Sequence, residues 1–203
     1  MRILLDIGLP LDGEFGDSAL MPAITEGVAA VVVSHPHVDH YGLLHHLPAG
    51  TPVCIGAAAR RIIEAAAPFT GQPLPSLAGF DLQHRTPIQI GPFQITPYLV
   101  DHSAYDAYGL LVEAGGKRLF YSGDFRGHGR KGRLFEAFLQ QPPSNIDVSL
   151  CPLLRLSLSC LTYMLLVAML CLTHKVSDRL NWVAGDRFID IVLGLEATCS
   201  GSQ

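Results

Sequence analysis

Short apolar runs separated by turn residues fill residues 1–148, the pattern of an α/β domain. Arg2–Leu5 predicts a short strand ending at Asp6-Ile7-Gly8, and 29–33 predicts a buried strand ending at Ser34. A His-rich loop follows, and 43–47 continues as a short helix. Next come a strand over 52–55 and an Ala-rich helix over 57–67, stopped by Pro68. Residues 69–79 carry Gly71, Pro73, Pro75 and Gly79 and read as a loop. Strands then dominate. Ile88–Ile90 and 93–96 flank Gly91-Pro92, while Tyr108–Ala114 and 117–122 flank Gly115-Gly116, the strongest hairpin signal in the chain. Gly132–Gln140 predicts a helix and 146–150 the start of another strand. No internal repeat is visible.

The pattern breaks near residue 149. Residues 1–148 hold eight of the nine His, 17 of the 20 Gly and 13 of the 14 Pro, whereas 149–203 hold four of the five Cys. The tail also carries an uncharged run of 18 residues, 156–173, between Arg155 and His174-Lys175. As a helix it would reach roughly 27 Å, just short of a hydrocarbon core. Three readings stand open: a membrane-associated helix, a helix buried in the core, or a tail foreign to this fold, as from a shifted reading frame. The expected division is therefore a domain over 1–148 and a separate tail over 149–203.

Composition narrows the class. Charged residues make up 16% and apolar residues 49% of the 203, which excludes wholesale disorder. A net charge of −4 is not that of a general nucleic-acid glove, although a local basic patch remains compatible. Five Cys without knuckle or redox spacing give no disulfide framework. Only three apolar residues separate Arg2 from Asp6, too few for a secretory leader, so the expected compartment is the cytoplasm.

The chemistry concentrates in Ser34-His35-Pro36-His37-Val38-Asp39-His40, where four metal-competent side chains fall within six residues directly after a strand. In extended chain, residues two apart project to one side, so His35 and His37 can grip one ion. Asp39 and His40, where the chain turns into a helix, would face a second ion. Imidazoles with a carboxylate suit Zn²⁺, with Mn²⁺ or Fe²⁺ not excluded by the donor set. Val100-Asp101-His102-Ser103 and Tyr121-Ser122-Gly123-Asp124-Phe125 each place a further candidate ligand at a strand end.

With Leu4-Leu5-Asp6-Ile7-Gly8, these segments resemble the metallo-β-lactamase-fold hydrolases, and Asp101-His102-Ser103 with Gly123-Asp124-Phe125-Arg126 resemble most the ribonuclease J and β-CASP neighbourhood. The resemblance covers about residues 1–148. It implies an αββα sandwich with a dinuclear metal site at its strand ends. His35, His37 and His102 would hold the first ion, Asp39 and His40 the second, and Asp124 would bridge both. Asp6 would orient ligands from behind. Asp101 and Ser103 would do the same around His102, or serve only as turn residues. Two adjacent cations make a held water a hydroxide nucleophile near neutral pH and stabilise transition-state charge. Asp39 would serve as a secondary proton acceptor.

Arg126, His128, Arg130, Lys131 and Arg133 follow Asp124 closely, a basic edge suited to phosphate. With the resemblance, this makes a phosphodiester in RNA or DNA the expected substrate; a solvated loop is the competing reading. Two departures from the family stand out. The chain begins almost on the strand carrying Leu4-Leu5-Asp6, so outer strands of the first sheet are expected to be missing. The family's last metal-binding His has no counterpart beyond His174, which lies in no matching motif. The expected sandwich is thus incomplete at both ends, with a non-family apolar tail. A second expectation follows: an impaired or inactive fragment, possessing a weakened second metal site and a membrane contact only through 156–173.

Overall fold

The computed structural model describes residues 1–8, 25–70 and 76–150, and the backbone of two strands at 180–185 and 188–193. The run 156–173 lies outside the described residues. Among the described residues, no helix is long and apolar enough to cross a membrane.

Among the described residues, eleven strands form two sheets: β1 (Arg2–Leu5), β2 (Val28–Val32), β3 (Val53–Gly56), β4 (Asp81–Leu82), β5 (Ile88–Ile90), β6 (Phe93–Leu99), β7 (Tyr108–Ala114), β8 (Lys117–Tyr121), β9 (Val148–Leu150), β10 (Leu180–Gly185) and β11 (Phe188–Leu193). Their orders are β10-β11-β1-β2-β3-β4 and β5-β6-β7-β8-β9. The helices are α1 (Val38–Tyr41), α2 (Ala57–Thr70) and α3 (Gly132–Gln140), with a 3-10 turn at Leu44–His46. Beyond β1, the first sheet continues into the hairpin of β11 and β10, which pairs antiparallel with β1.

Strands β1 to β3 are parallel and apolar on both faces, as sheets covered on both sides require. Successive side chains alternate. Ile3, Leu5, Ala30, Val32 and Cys54 face the second sheet and pack on Phe93, Ile95, Leu110, Val112 and Leu119. Leu4, Val31, Val33, Val53 and Ile55 face the other way, onto Tyr41, Leu44 and the Ala59 and Ile63 stripe of α2. On the outer face of the second sheet, Phe138 of α3 stacks on Phe120 at 5.5 Å between ring centroids. The layers are helix, sheet, sheet, helix: an αββα sandwich.

Three details differ from the sequence expectation. Helix α2 runs through Pro68 to Thr70 rather than stopping before it. Pro68 falls in the last turn, where its missing N–H removes a single bond, and the Thr70 hydroxyl donates to the Ala67 carbonyl. Residues 69–79 are thus not all loop, and Asp81–Leu82 adds an edge strand beside β3. Lacking a capping side chain of its own before Ala57, α2 takes one from a distant loop. The Asp106 carboxylate accepts from the N–H groups of Ala58 and Ala59 at 2.9 and 3.1 Å. The Gly115-Gly116 turn has φ of 57° and 73°, the paired positive values of a two-residue hairpin.

Candidate metal centre

Four strands end on the same edge of the sandwich. Strands β1 and β2 are parallel to each other, and β6 and β8 share a direction because both run antiparallel to β7. Asp6 follows β1, Ser34 to His37 follow β2, Asp101 and His102 follow β6, and Asp124 follows β8. Helix α1 is a single turn whose start is the extended His37, and the N–H groups of His40 and Tyr41 both donate to the His37 carbonyl. That turn carries Asp39 and His40 back beside His35. The Ile7 N–H donates to the His40 carbonyl at 2.8 Å, tying α1 to the segment after β1. Gly123 turns the chain toward Asp124 at φ 53°, where a Cβ would press on the Tyr108 carbonyl.

Among the described residues, two groups of three have ligand atoms within 4.8 Å of one another: His35, His37 and His102, and His35, His40 and Asp124. In the first group His37 Nδ1 lies 3.1 Å from His35 Nε2 and 3.2 Å from His102 Nε2. Tetrahedral zinc with Zn–N bonds of about 2.0–2.1 Å spaces its nitrogens about 3.3–3.4 Å apart, so this trio fits such an ion. In the second group His40 Nε2 lies 3.6 Å from Asp124 Oδ2 and 3.7 Å from Asp39 Oδ2. Asp39 flanks that group without joining the compact three, and His35, rather than Asp124, belongs to both. His35 is fully buried, its ring centroid 3.9 Å from that of His40 and 4.5 Å from that of His102.

Electrostatics separate the two groups. Burial, with the neighbouring imidazoles, pushes His35 far below the ordinary histidine range, and burial lowers His37. Burial also lowers His102, to about 4, against the pull of Asp124. These three are neutral at pH 7 and ready to accept a cation. Burial works against a charge on His40 too, but Asp6 and Asp124 outweigh it and raise His40 to about 10.

The model of the Beta-lactamase superfamily domain matches residues 1–147. The chain belongs to this superfamily. Ribonuclease J of Helicobacter pylori (strain ATCC 700392 / 26695) is 26% identical over 141 residues, covering 61% of this chain and 19% of that protein. The chain therefore spans about a fifth of the curated relatives it matches. Among solved structures, a Cronobacter sakazakii metallo-β-lactamase with an HARLDQ motif has a TM-score of 0.53 at 18% identity, over 73% of this chain and 68% of that one. The subclass B3 metallo-β-lactamase BJP-1 of Bradyrhizobium japonicum gives 0.52 at 13% identity, over 74% and 66%. These structures establish a metallo-β-lactamase fold, which implies metal ions, and the two His/Asp groups are the candidate ligands among the described residues.

Around the two candidate groups, the other expected residues take distinct places. Asp6 lies behind His40, its Oδ2 2.7 Å from His40 Nδ1. The buried Asp101 carboxylate accepts from the Gly129 and Lys131 N–H groups at 2.6 and 3.3 Å and lies 3.7 Å from Arg126 Nε. Those partners make it an anchor for the basic loop. Arg126 is drawn back by this contact and by a bond to the His102 carbonyl, while His128 and Arg130 are exposed, as is Ser103. Lys131 Nζ donates to the Ala104 carbonyl at 3.0 Å. Two buried hydroxyls escaped the sequence reading: Ser34 and Tyr121, which both donate to Asp6. Their positions, one residue before the first His and at the end of β8, are the only sequence signal they give.

Proposed function

We propose that residues 1–148 form a zinc-dependent hydrolase centre acting on phosphodiesters, RNA first among them. The observation that carries this reading is the pair of compact groups sharing His35. His35, His37 and His102 would hold one ion; His40 and Asp124, flanked by Asp39, would hold the second. When bound, zinc supplies Lewis acidity to the reacting oxygens and lowers the pKa of water toward neutrality. Asp39, partly exposed beside His40, accepts the proton of the attacking water. Asp6 fixes the His40 ring by its Nδ1. The exposed Arg130 and Arg133 would attract a phosphate backbone to the edge that would hold the metals, with His128 beside them as a hydrogen-bonding group. The ribonuclease J likeness supports RNA as that backbone.

A weaker second ion is favoured by one feature: among the described residues, His40 is the only imidazole that the second group does not share. The chain would then work poorly or only at high zinc. The test is hydrolysis by the zinc-loaded full chain of single-stranded RNA, a bis-aryl phosphate, a thioester and a lactam. Cleavage of the phosphodiesters, lost in His37→Ala, supports the proposal. Turnover of thioester or lactam alone overturns the substrate assignment. With Arg130→Ala/Arg133→Ala, RNA affinity should fall and its salt slope should shrink by roughly 0.7 per lost phosphate contact.

A further inference from the structure

Asp6 is the most heavily hydrogen-bonded group at the centre, and it stands in the left-handed region at φ 60°. Its Oδ1 accepts the Ser34 N–H at 2.6 Å. Its Oδ2 accepts the Ser34 hydroxyl at 2.8 Å, His40 Nδ1–H at 2.7 Å and the Tyr121 hydroxyl at 2.5 Å. Asp6 is 3% and Ser34 0% exposed, so no water competes for these bonds.

The Ser34 hydroxyl has a single proton, and Asp6 takes it. Its lone pairs are left to accept, and His35 Nδ1 stands 3.0 Å away. A neutral imidazole that donates through Nδ1 keeps its lone pair on Nε2, the atom that faces His37 at 3.1 Å. His40 is held the same way round: Nδ1 toward Asp6, Nε2 toward Asp124. One carboxylate thus reaches a residue of each group, His40 directly and His35 through Ser34.

We propose that Ser34 and Tyr121 are positioning residues that fix Asp6, and through it hold His35 and His40 with Nδ1 donating and Nε2 turned to the metal groups. The chain of bonds Tyr121–Asp6–Ser34–His35 spans from the end of β8 to the end of β2 and therefore couples the two sheets at the centre. Among the described residues, Tyr121 adds the one donor that reaches Asp6 from the second sheet. The zinc consequence rests on the metal-centre reading; the imidazole orientation does not.

The experiment has two arms on the full chain. In the first, long-range ¹H–¹⁵N NMR of the metal-free protein reads the His35 tautomer. Wild type should show Nδ1–H alone, Ser34→Ala should shift His35 toward Nε2–H, and Ser34→Thr should restore the wild-type pattern. A mixed tautomer in wild type, or no change in Ser34→Ala, overturns the proposal. In the second arm, zinc titration of Tyr121→Phe should weaken the second ion about tenfold, the size expected for an outer-shell partner, and the first ion less, because Asp6 meets His40 directly and His35 only through Ser34. Two affinities within twofold of wild type in a folded Tyr121→Phe would also overturn it. If Tyr121→Phe does not fold, the Ser34 pair still decides. Wild type that takes no zinc yet keeps the His35 tautomer dependent on Ser34 refutes the metal-centre reading and leaves the positioning role standing.

Discussion

The charge held on His40 makes the metal-free protein's stability depend on pH in a definite direction. His40 titrates near 10 in the fold, raised by Asp6 and Asp124 against its burial, and near 6.5 in an unfolded chain. A group whose folded pKa is raised binds its proton more tightly in the fold. Its contribution is complete below about pH 6.5 and is lost as pH climbs toward 10. The shift corresponds to about 3–5 kcal/mol, a large part of the 5–15 kcal/mol typical of a domain. Urea unfolding with a chelator present, at intervals from pH 6 to 10, should show the stability declining through this window. Asp6→Asn removes the carboxylate that raises His40, so its curve should start lower and fall less. Wild-type and Asp6→Asn stabilities that run parallel across the window would refute the reasoning, because the pH dependence would then come from other groups.

Further outcomes follow from the same contacts. Asp101→Ala releases the loop at 127–131 from its buried carboxylate anchor. It should lower stability by about 2–3 kcal/mol, the scale of hydrogen bonds to a charged group, and open the loop to limited proteolysis. Unchanged proteolysis would contradict that role. Gly8→Ala should prevent correct folding, since a Cβ there would overlap the backbone carbonyl of Asp39 and displace α1; circular dichroism and solubility report it. His37→Ala should remove one zinc equivalent with little effect on metal-free stability, because its Nδ1 faces the other two imidazoles of the trio. First-ion affinity should show no loss from pH 8 down to 6.5, where ordinary histidines gain a proton, since burial lowers His35, His37 and His102 below that range.

The sequence announced this architecture where local rules and tertiary context agree. The buried run through Val33 has no polar position to spare and reads as a strand covered on both faces, and Gly115-Gly116 can only be a tight turn. The His35 to His40 spacing likewise shows its chemistry locally, since extended chain followed by one helical turn brings the rings together. What stayed hidden depends on contacts far apart in the chain. Pro68 is tolerated because it falls in the final turn of α2, and Asp106 caps a helix nearly fifty residues earlier in sequence. Ser34 and Tyr121 look like ordinary strand-end residues until β2 and β8 are brought over Asp6. Arg126 reads as a free cation in sequence, yet Asp101 reaches it across the loop.

Anomalous diffraction at the zinc edge, from crystals of the full chain grown with zinc, addresses the two-ion cage itself. Two peaks are expected, about 3.5–4 Å apart, one within bonding distance of His35, His37 and His102 and the other of His40 and Asp124. Peaks that avoid these side chains, or zinc bound only on the surface, would contradict the account.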